Sequence, residues 1–151
     1  MDKCFLINKN QMADKQKAEK IVGAMYDNDA FSQWMGIKRI HVEEGACTLE
    51  MIIRDEMTNG FKLAHGGIIF SFADSALAFA CNSLGRHAVS IEASISNLKS
   101  VFAGDVITAK AKQLHSTHKV GFYQIDIFNQ KEELVGSFKG TVYRSSKEWD
   151  V

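Results

Sequence analysis

Apolar and polar positions along the chain follow two different spacings, which divide it into helical and extended segments. Between Ala18 and Met25, apolar residues recur at intervals of three and four, and this spacing predicts a helical flank over residues 14–35. In residues 1–13, charges interrupt a short apolar patch, and we expect a disordered or extended arm there. The N-terminal part of the chain is therefore expected to supply an amphipathic helix that packs on a sheet.

Strand-like spacing dominates much of the remaining sequence. Residues 37–53 form two extended runs around Glu43, Glu44 and Gly45, which predicts a hairpin. Further strands are predicted at residues 106–114, 120–128 and 134–144. Another half-buried strand is predicted after Gly85, with side chains that alternate between its two faces. One face carries Val89, Ile91, Ala93 and Ile95, and the other carries Ser90, Glu92, Ser94 and Ser96.

The segment HGGIIFSFADSALAFACNS, between the hairpin and the later strands, is apolar or small at almost every position. A helix of this composition must be covered on most sides, and an antiparallel sheet that curls around it is the simplest cover. The segment is about long enough to span a bilayer, but Asp74 at its centre and Asn82 near its end favour a buried helix. The predicted fold class is α+β.

Composition excludes several classes of function. The 151 residues are enough for one domain, residues 1–151, with its own core. Eighteen basic and eighteen acidic residues balance, so we expect neither a nucleic-acid partner nor a membrane partner. The three scattered cysteines suggest neither a disulfide framework nor a metal site. Without a secretory signal at the N-terminus, we expect a reduced, cytoplasmic protein.

The start of the apolar helix carries the first candidate chemistry. If the helix begins at His65 or Gly66, its first turn has unpaired backbone N–H groups and a partial positive charge. Gly66 and Gly67 would let a ligand approach that backbone closely, so the helix end can hold an anion or a carbonyl oxygen that becomes an oxyanion. The alternative is that the two glycines only make a tight turn between strand and helix.

Asp74, in the middle of the same helix, is the second candidate. A carboxylate in an apolar site can act as a general base towards water or attack an acyl carbon directly, and the sequence leaves both open. The alternative is a purely structural aspartate that bonds to a neighbouring group. Asp74 lies roughly 12 Å along the helix from Gly66, at ~1.5 Å per residue. One site that uses both residues therefore requires a homodimer in which two such helices lie side by side.

Asn59, on the loop before the helix, is a third candidate. Its amide can donate and accept hydrogen bonds, so it can orient a water molecule or an acyl group. An ordinary Asn-Gly turn explains the residue equally well. The chain has no Ser-His-Asp order, no nucleophile elbow and no nucleotide-binding loop, which argues against a serine hydrolase and against the usual nucleotide enzymes.

The stretch NGFKLAHGGIIFSFAD from Asn59 to Asp74, with the later segments VSIEASISNLKSVFAGDVITAKA and GFYQIDIFNQ, resembles the hotdog-fold acyl-CoA thioesterases of the phenylacetate-degradation (PaaI) type. This resemblance covers about residues 20–144. It implies an antiparallel sheet of five to six strands wrapped around one long helix. It also implies a homodimer that completes the active site, and a homotetramer.

The resemblance also implies roles for individual residues. Gly66 would polarise the thioester carbonyl, Asp74 of the partner chain would be the catalytic carboxylate, and Asn59 would help to place water or the acyl group. Three further positions would contribute to substrate binding: His65, Gly67 and Ser90.

We therefore expect a thioester hydrolase that cleaves an aryl- or medium-chain acyl-CoA, with phenylacetyl-CoA as a plausible type of substrate. No cofactor is expected, because CoA is part of the substrate. Lys99, Lys119 and Arg86 are available to bind the CoA phosphates. The alternatives are a non-catalytic acyl-CoA sensor and a hotdog-fold dehydratase, and the arrangement of Asn59, Gly66 and Asp74 favours hydrolysis over both.

Overall fold

The structure, a computed structural model, describes residues 3–151, with side chains described at Met12 and from Asp14 onward. In chain order the elements are α1 (Lys3–Asp27), α2 (Ala30–Met35), β1 (Lys38–Glu43), β2 (Ala46–Ile52), a 3₁₀ turn (Asp55–Met57), α3 (Gly66–Asn82), β3 (Arg86–Asn97), β4 (Val106–Ser116), β5 (Val120–Asn129) and β6 (Leu134–Glu148).

The first helix begins earlier than the sequence pattern predicted. The structure has residues 3–13 in α1, so the predicted arm is wrong for that part of the chain, while Met1 and Asp2 lie outside the described residues. The segment contains neither proline nor glycine, and so nothing in it interrupts a helix that continues into the amphipathic turns. Among the described residues, no helix is both long and apolar enough to cross a membrane.

The strands form one six-stranded antiparallel sheet with the order β1-β2-β4-β5-β6-β3. The hairpin is confirmed as β1 and β2, and the later strands start at the predicted residues Val106, Val120 and Leu134. The last strand continues to Glu148, beyond its predicted end. This order leaves β1 and β3 at the two edges of the sheet.

The long helix α3 lies on the inner face of the sheet and supplies much of the core. Phe72 and Phe79 of α3 are fully buried in one cluster with sheet residues such as Phe138. The helix approaches the sheet closely at Gly140, where an added Cβ would overlap the Leu77 side chain. Glycine is therefore required at this position of β6, because the helix occupies the space of a side chain.

The edge strand β3 contains a bulge that changes which residues face the helix. Ser90 pairs with Val142 and Glu92 with Thr141, which leaves Ile91 as the extra residue. Paired residues share a face of the sheet, and Val142 is fully buried, so Ser90 lies on the inner face. The prediction that Ser90 shares a face with Glu92 was therefore wrong, because the bulge shifts the alternation by one residue.

The buried side chain of Asn82 ties the C-terminal end of α3 to the sheet. Its amide donates to the Ala88 carbonyl at 2.9 Å and accepts from the Ala88 N–H at 3.0 Å. The indole Nε1 of Trp149 donates to the same amide oxygen at 2.9 Å, and its ring stacks on His87. Near the other end of the helix, Gly66 lies beside the Asn97 side chain, so α3 runs antiparallel along β3.

Candidate active site

The loop that leads into α3 is shaped by the Asn59 side chain. Its Oδ1 accepts from the N–H groups of Phe61 at 2.9 Å and Leu63 at 3.2 Å, and the Asn59 N–H donates to the Leu63 carbonyl at 2.7 Å. Lys62 adopts a left-handed conformation with φ 61° to complete the tight loop. The turn interpretation of Asn59 is therefore correct for its oxygen. Within the described residues its Nδ2 makes no hydrogen bond and stays available to a ligand.

His65 caps the N-terminus of α3 with its side chain. The imidazole Nδ1 accepts a hydrogen bond from the Gly67 N–H at 2.9 Å, and the His65 carbonyl accepts from the Ile68 N–H at 2.9 Å. Since Nδ1 is the acceptor, the proton of the neutral ring is on Nε2. The structure thus brings His65 and Gly67 together, but the Gly67 N–H is already bonded within the cap and is not free for a substrate.

Gly66, the first residue of α3, has the free donor. Among the hydrogen bonds of residues 3–151, none uses the Gly66 N–H. Its φ lies outside the left-handed region, and an added Cβ would meet only the Asn97 Nδ2, at 3.7 Å. Neither the backbone conformation nor the packing requires glycine here. The missing side chain leaves open space above a backbone donor at the positive end of a helix.

A cavity of about 340 Å³ opens at this helix end. Asn59 and Gly66 both line it, so the structure brings these two predicted site residues together. Most of the other lining residues are apolar: Leu63, Ala64, Ile69, Leu98, Val101 and Val135. The cavity therefore combines a few polar groups with apolar walls, as small-molecule sites commonly do.

Lys99 and Asn97 add polar groups to the cavity wall. The Lys99 ammonium bonds to the Glu133 carboxylate at 2.8 Å, and Asn129 donates to the other oxygen of Glu133. The hydrogen bond from Lys99 lowers the pKa of Glu133 most, and the one from Asn129 lowers it further. Asn97 was missed at the sequence level, although it continues the inner-face alternation of Ala93 and Ile95 by one more step.

Asp74 lies apart from this cavity in the same chain. It is half-buried on the helix stripe between Phe70, whose ring packs edge-on against Phe138 at 5.2 Å, and Leu77. The Asp74 carboxylate has no hydrogen-bond partner among the described side chains and backbone groups, and burial raises its pKa above the ordinary value. A half-buried acid without a structural partner argues against a purely structural aspartate.

Ser90 also lies away from the cavity. It sits on the inner face of β3, two residues after Ala88, which bonds to the C-terminal end of α3. The cavity, by contrast, lies at the N-terminal end of that helix, beside Asn97. One chain therefore presents two separate groups of predicted site residues: Asn59 and Gly66 at the cavity, and Asp74 and Ser90 further along the helix and its neighbouring strand.

The described cysteines do not offer a competing nucleophile. Cys47 and Cys81 are buried and free, and burial raises the pKa of each thiol to about 12. Such thiols remain protonated at neutral pH and are poor nucleophiles. Cys4 falls where side chains are outside the described part of the chain.

Comparison with known proteins identifies the family. Residues 61–136 match the family described as "Thioesterase superfamily". The chain belongs to this superfamily. It is 41% identical to the acyl-coenzyme A thioesterase PaaI of Escherichia coli K12 over 128 residues, which covers 85% of this chain and 91% of the relative. This confirms the likeness to PaaI-type thioesterases that the motifs predicted.

Solved structures agree with this assignment. The structure of the E. coli PaaI protein superposes with a TM-score of 0.87 at 40% identity, covering 89% of this chain and 97% of that one. A Streptococcus mutans protein bound to acetyl CoA gives a TM-score of 0.73 at 25% identity, covering 75% and 91% of the two chains. The predicted α+β hotdog fold, with an antiparallel sheet around one long helix, is therefore confirmed.

A further relative matches almost the whole chain. A putative esterase of Archaeoglobus fulgidus is 34% identical over 146 residues, which covers 97% of this chain and 92% of the relative. The similarity thus extends beyond the family match into α1 and the last strand.

Proposed function

We propose that this protein hydrolyses acyl-CoA thioesters to CoA and a carboxylic acid. The observation that carries the proposal is the unpaired Gly66 N–H at the mouth of an apolar cavity. In a chain of the thioesterase superfamily, a free backbone donor at a helix N-terminus is suited to bind a thioester carbonyl oxygen. The relatives' names, an acyl-coenzyme A thioesterase and a protein bound to acetyl CoA, support acyl-CoA as the substrate class.

The reaction follows from the charges of the two groups. With the carbonyl oxygen at Gly66, addition of an oxygen nucleophile creates a negative charge that the Gly66 N–H and the helix dipole stabilise. The C–S bond then breaks, and CoA leaves as the thiol after it takes up a proton. Asp74 either accepts the proton of the attacking water or attacks the carbonyl itself to form an anhydride that water hydrolyses.

The two separate groups of site residues support a homodimer. Because Gly66 and Asp74 are roughly 12 Å apart along one helix, the complete site needs Asp74 from a second chain. The outer edge of β3 offers the place for that chain, since its backbone is unpaired and its exposed side chains include Val89 and Ile91. Two copies joined there would bring their α3 helices near each other. Further association of two dimers would give the homotetramer.

The polar groups around the cavity favour Lys99 as a contact for the CoA phosphates. Lys99 lines the cavity, and its ammonium, which is paired with the Glu133 carboxylate, has further N–H groups for a phosphate. Arg86 is less suitable, because its guanidinium donates to the backbone carbonyls of Ser145, His118 and Arg144. The apolar walls suit an aryl or medium-chain acyl group, and phenylacetyl-CoA is a plausible member of this class. A cytoplasmic location fits this role.

Release of free thiol from a panel of acyl-CoA esters tests the proposal. The wild-type protein should release thiol, and Asp74→Ala and Asp74→Asn should lower kcat by at least about a hundredfold. The exposed residue Asp14 on α1 provides a matched control, since Asp14→Asn should leave kcat unchanged. Stabilisation by acyl-CoA without thiol release would indicate a sensor instead. Full activity in Asp74→Ala would exclude the mechanism.

A further inference from the structure

The side chain of Asn97 stands beside the free Gly66 donor. Asn97 is the last residue of β3 and pairs with Gly136, whose added Cβ would point towards Ile69 of α3. Because paired residues share a face, the Asn97 side chain also points to the helix side of the sheet. Its partner is a glycine, which has no side chain to cover the amide. It lines the cavity with Gly66 and Asn59, and it makes no side-chain hydrogen bond within residues 3–151.

The spacing of the two donors suits a single oxygen. The Asn97 Nδ2 lies 3.7 Å from the position that a Cβ on Gly66 would occupy. Since that position is about 2.5 Å from the Gly66 nitrogen, the two nitrogen atoms are at most about 6 Å apart. An oxygen between them can therefore accept from both at about 3.1 Å or less.

We propose that Asn97 is a further catalytic residue, which donates a second hydrogen bond to the thioester carbonyl oxygen. This inference rests on the proposed thioesterase function and deepens it. The oxyanion hole then consists of one backbone donor on the helix and one side-chain donor on the sheet. Asn97 transfers no proton: the new C–O bond forms, the carbonyl electrons move to the oxygen, and both donors hold that charge until the C–S bond breaks.

A second donor explains the open space above Gly66. One N–H at a helix end satisfies only one of the lone pairs of an oxyanion, and its dipole falls off within the first turn. The amide of Asn97 approaches the same oxygen from the sheet. The added Cβ of alanine at Gly66 would lie 3.7 Å from the Asn97 Nδ2 and would crowd an oxygen that both donors bind. The absence of a side chain at Gly66 therefore serves both of them.

The substitutions Asn97→Ala and Asn97→Asp test this role. Asn97→Asp keeps the shape of the side chain but replaces the donor with an acceptor carboxylate. We expect both variants to lower kcat by about 10²–10³-fold with little change in KM, as for loss of one oxyanion donor. Ser96→Ala is the matched control, because Ser96 is the neighbouring residue on the outer face and is exposed. It should retain wild-type kcat and KM.

Two results would overturn the proposal. The first is that Asn97→Ala unfolds at the same temperature as wild type and has a kcat within about threefold of it. The second is a rise in KM alone, which would show that Asn97 binds another part of acyl-CoA, such as an amide of the pantetheine arm. Failure of the wild-type protein to release thiol would instead contradict the proposed function itself. Both substitutions should fold, because the Asn97 side chain is exposed and unbonded.

Discussion

The imidazole Nδ1 of His65 accepts a hydrogen bond from the Gly67 N–H at 2.9 Å, and this bond gives two adjacent glycines different roles. Gly67 completes the helix cap, while Gly66 keeps its N–H free at the cavity. An added Cβ at Gly67 would lie 3.1 Å from the His65 Nδ1, whereas one at Gly66 would make only an ordinary contact. The two positions should therefore respond differently to the same substitution.

We expect Gly66→Ala to lower kcat while the melting temperature stays at or above the wild-type value, because alanine restricts the unfolded chain and obstructs only the cavity. Gly67→Ala should strain the cap and destabilise the protein by about 1 kcal/mol. Thermal unfolding and thiol-release kinetics on both variants distinguish these effects. A large loss of stability in Gly66→Ala would show that glycine is needed there for folding.

Asp74, the proposed catalytic carboxylate, should lower the stability of the folded protein at neutral pH. Burial raises the pKa of Asp74, so the folded state favours the protonated form. The stability that the raised pKa contributes is complete below the pKa of Asp74 in the unfolded chain. It is lost as the pH rises through the pKa of Asp74 in the folded protein. At pH 7 the ionised Asp74 is therefore unfavourable, and Asp74→Asn should raise the melting temperature by about 2–4 °C.

This difference in melting temperature should shrink as the pH falls through the raised pKa of folded Asp74, and it should vanish below the ordinary pKa of an unfolded aspartate, about 3.9. Differential scanning calorimetry at several pH values measures it. Asp14→Asn, on the exposed surface of α1, is the control. Equal stability of wild type and Asp74→Asn at every pH would contradict the assignment of a desolvated carboxylate.

Mixed dimers should recover activity if the site is built from two chains. We expect Gly66→Ala and Asp74→Ala to be weakly active alone. In a mixed dimer, one of the two sites combines an intact Gly66 with an intact Asp74. Random mixing should then restore about a quarter of wild-type activity. Co-refolding of the two variants, with each variant refolded alone as the control, provides the measurement. A mixture no more active than the mean of its components would place both residues in one chain's site.

Asn82 should contribute strongly to stability without taking part in the reaction. Asn82→Ala removes bonds to both backbone groups of Ala88 and to Trp149, and leaves buried polar groups unpaired. We expect a loss of about 2–4 kcal/mol in urea unfolding. Trp149→Phe, which removes one of these bonds, should cost less. Asn28→Ala is the control, because the Asn28 side chain bonds to a helix carbonyl on the exposed surface. A urea midpoint unchanged in Asn82→Ala would contradict this role.

The sequence was sufficient to predict the fold because the local patterns of most segments agree with the elements that those segments form in the folded protein. The almost uniformly apolar segment after His65 is α3, and the turn residues before Val106, Val120 and Leu134 mark strand starts in the structure. The separation of Gly66 from Asp74 also followed from sequence, because a helix has a fixed rise per residue.

Other features depend on contacts between segments and could not be predicted from local patterns. The inner-face position of Ser90 results from the pairing of β3 with β6, which a period of two within β3 does not contain. The position of Asn97 beside Gly66 results from the antiparallel course of α3 along β3. The start of α1 at Lys3 was missed because residues 3–13 lack clear amphipathic spacing.

The unpaired Ile91 makes β3 far more tolerant of substitution than of a change in length. Its exposed side chain fills no core space, so the fold of one chain tolerates many residues there, whereas the proposed dimer contact favours an apolar one. Its deletion would restore a regular alternation and turn one half of the strand to the opposite face. Either Ala88 would leave Asn82, or Asn97 would leave the cavity. During evolution, side chains on this strand can therefore change without moving the site. Deletion of one residue, however, would disrupt either the Asn82 bonds that stabilise the fold or the position of Asn97 at the cavity.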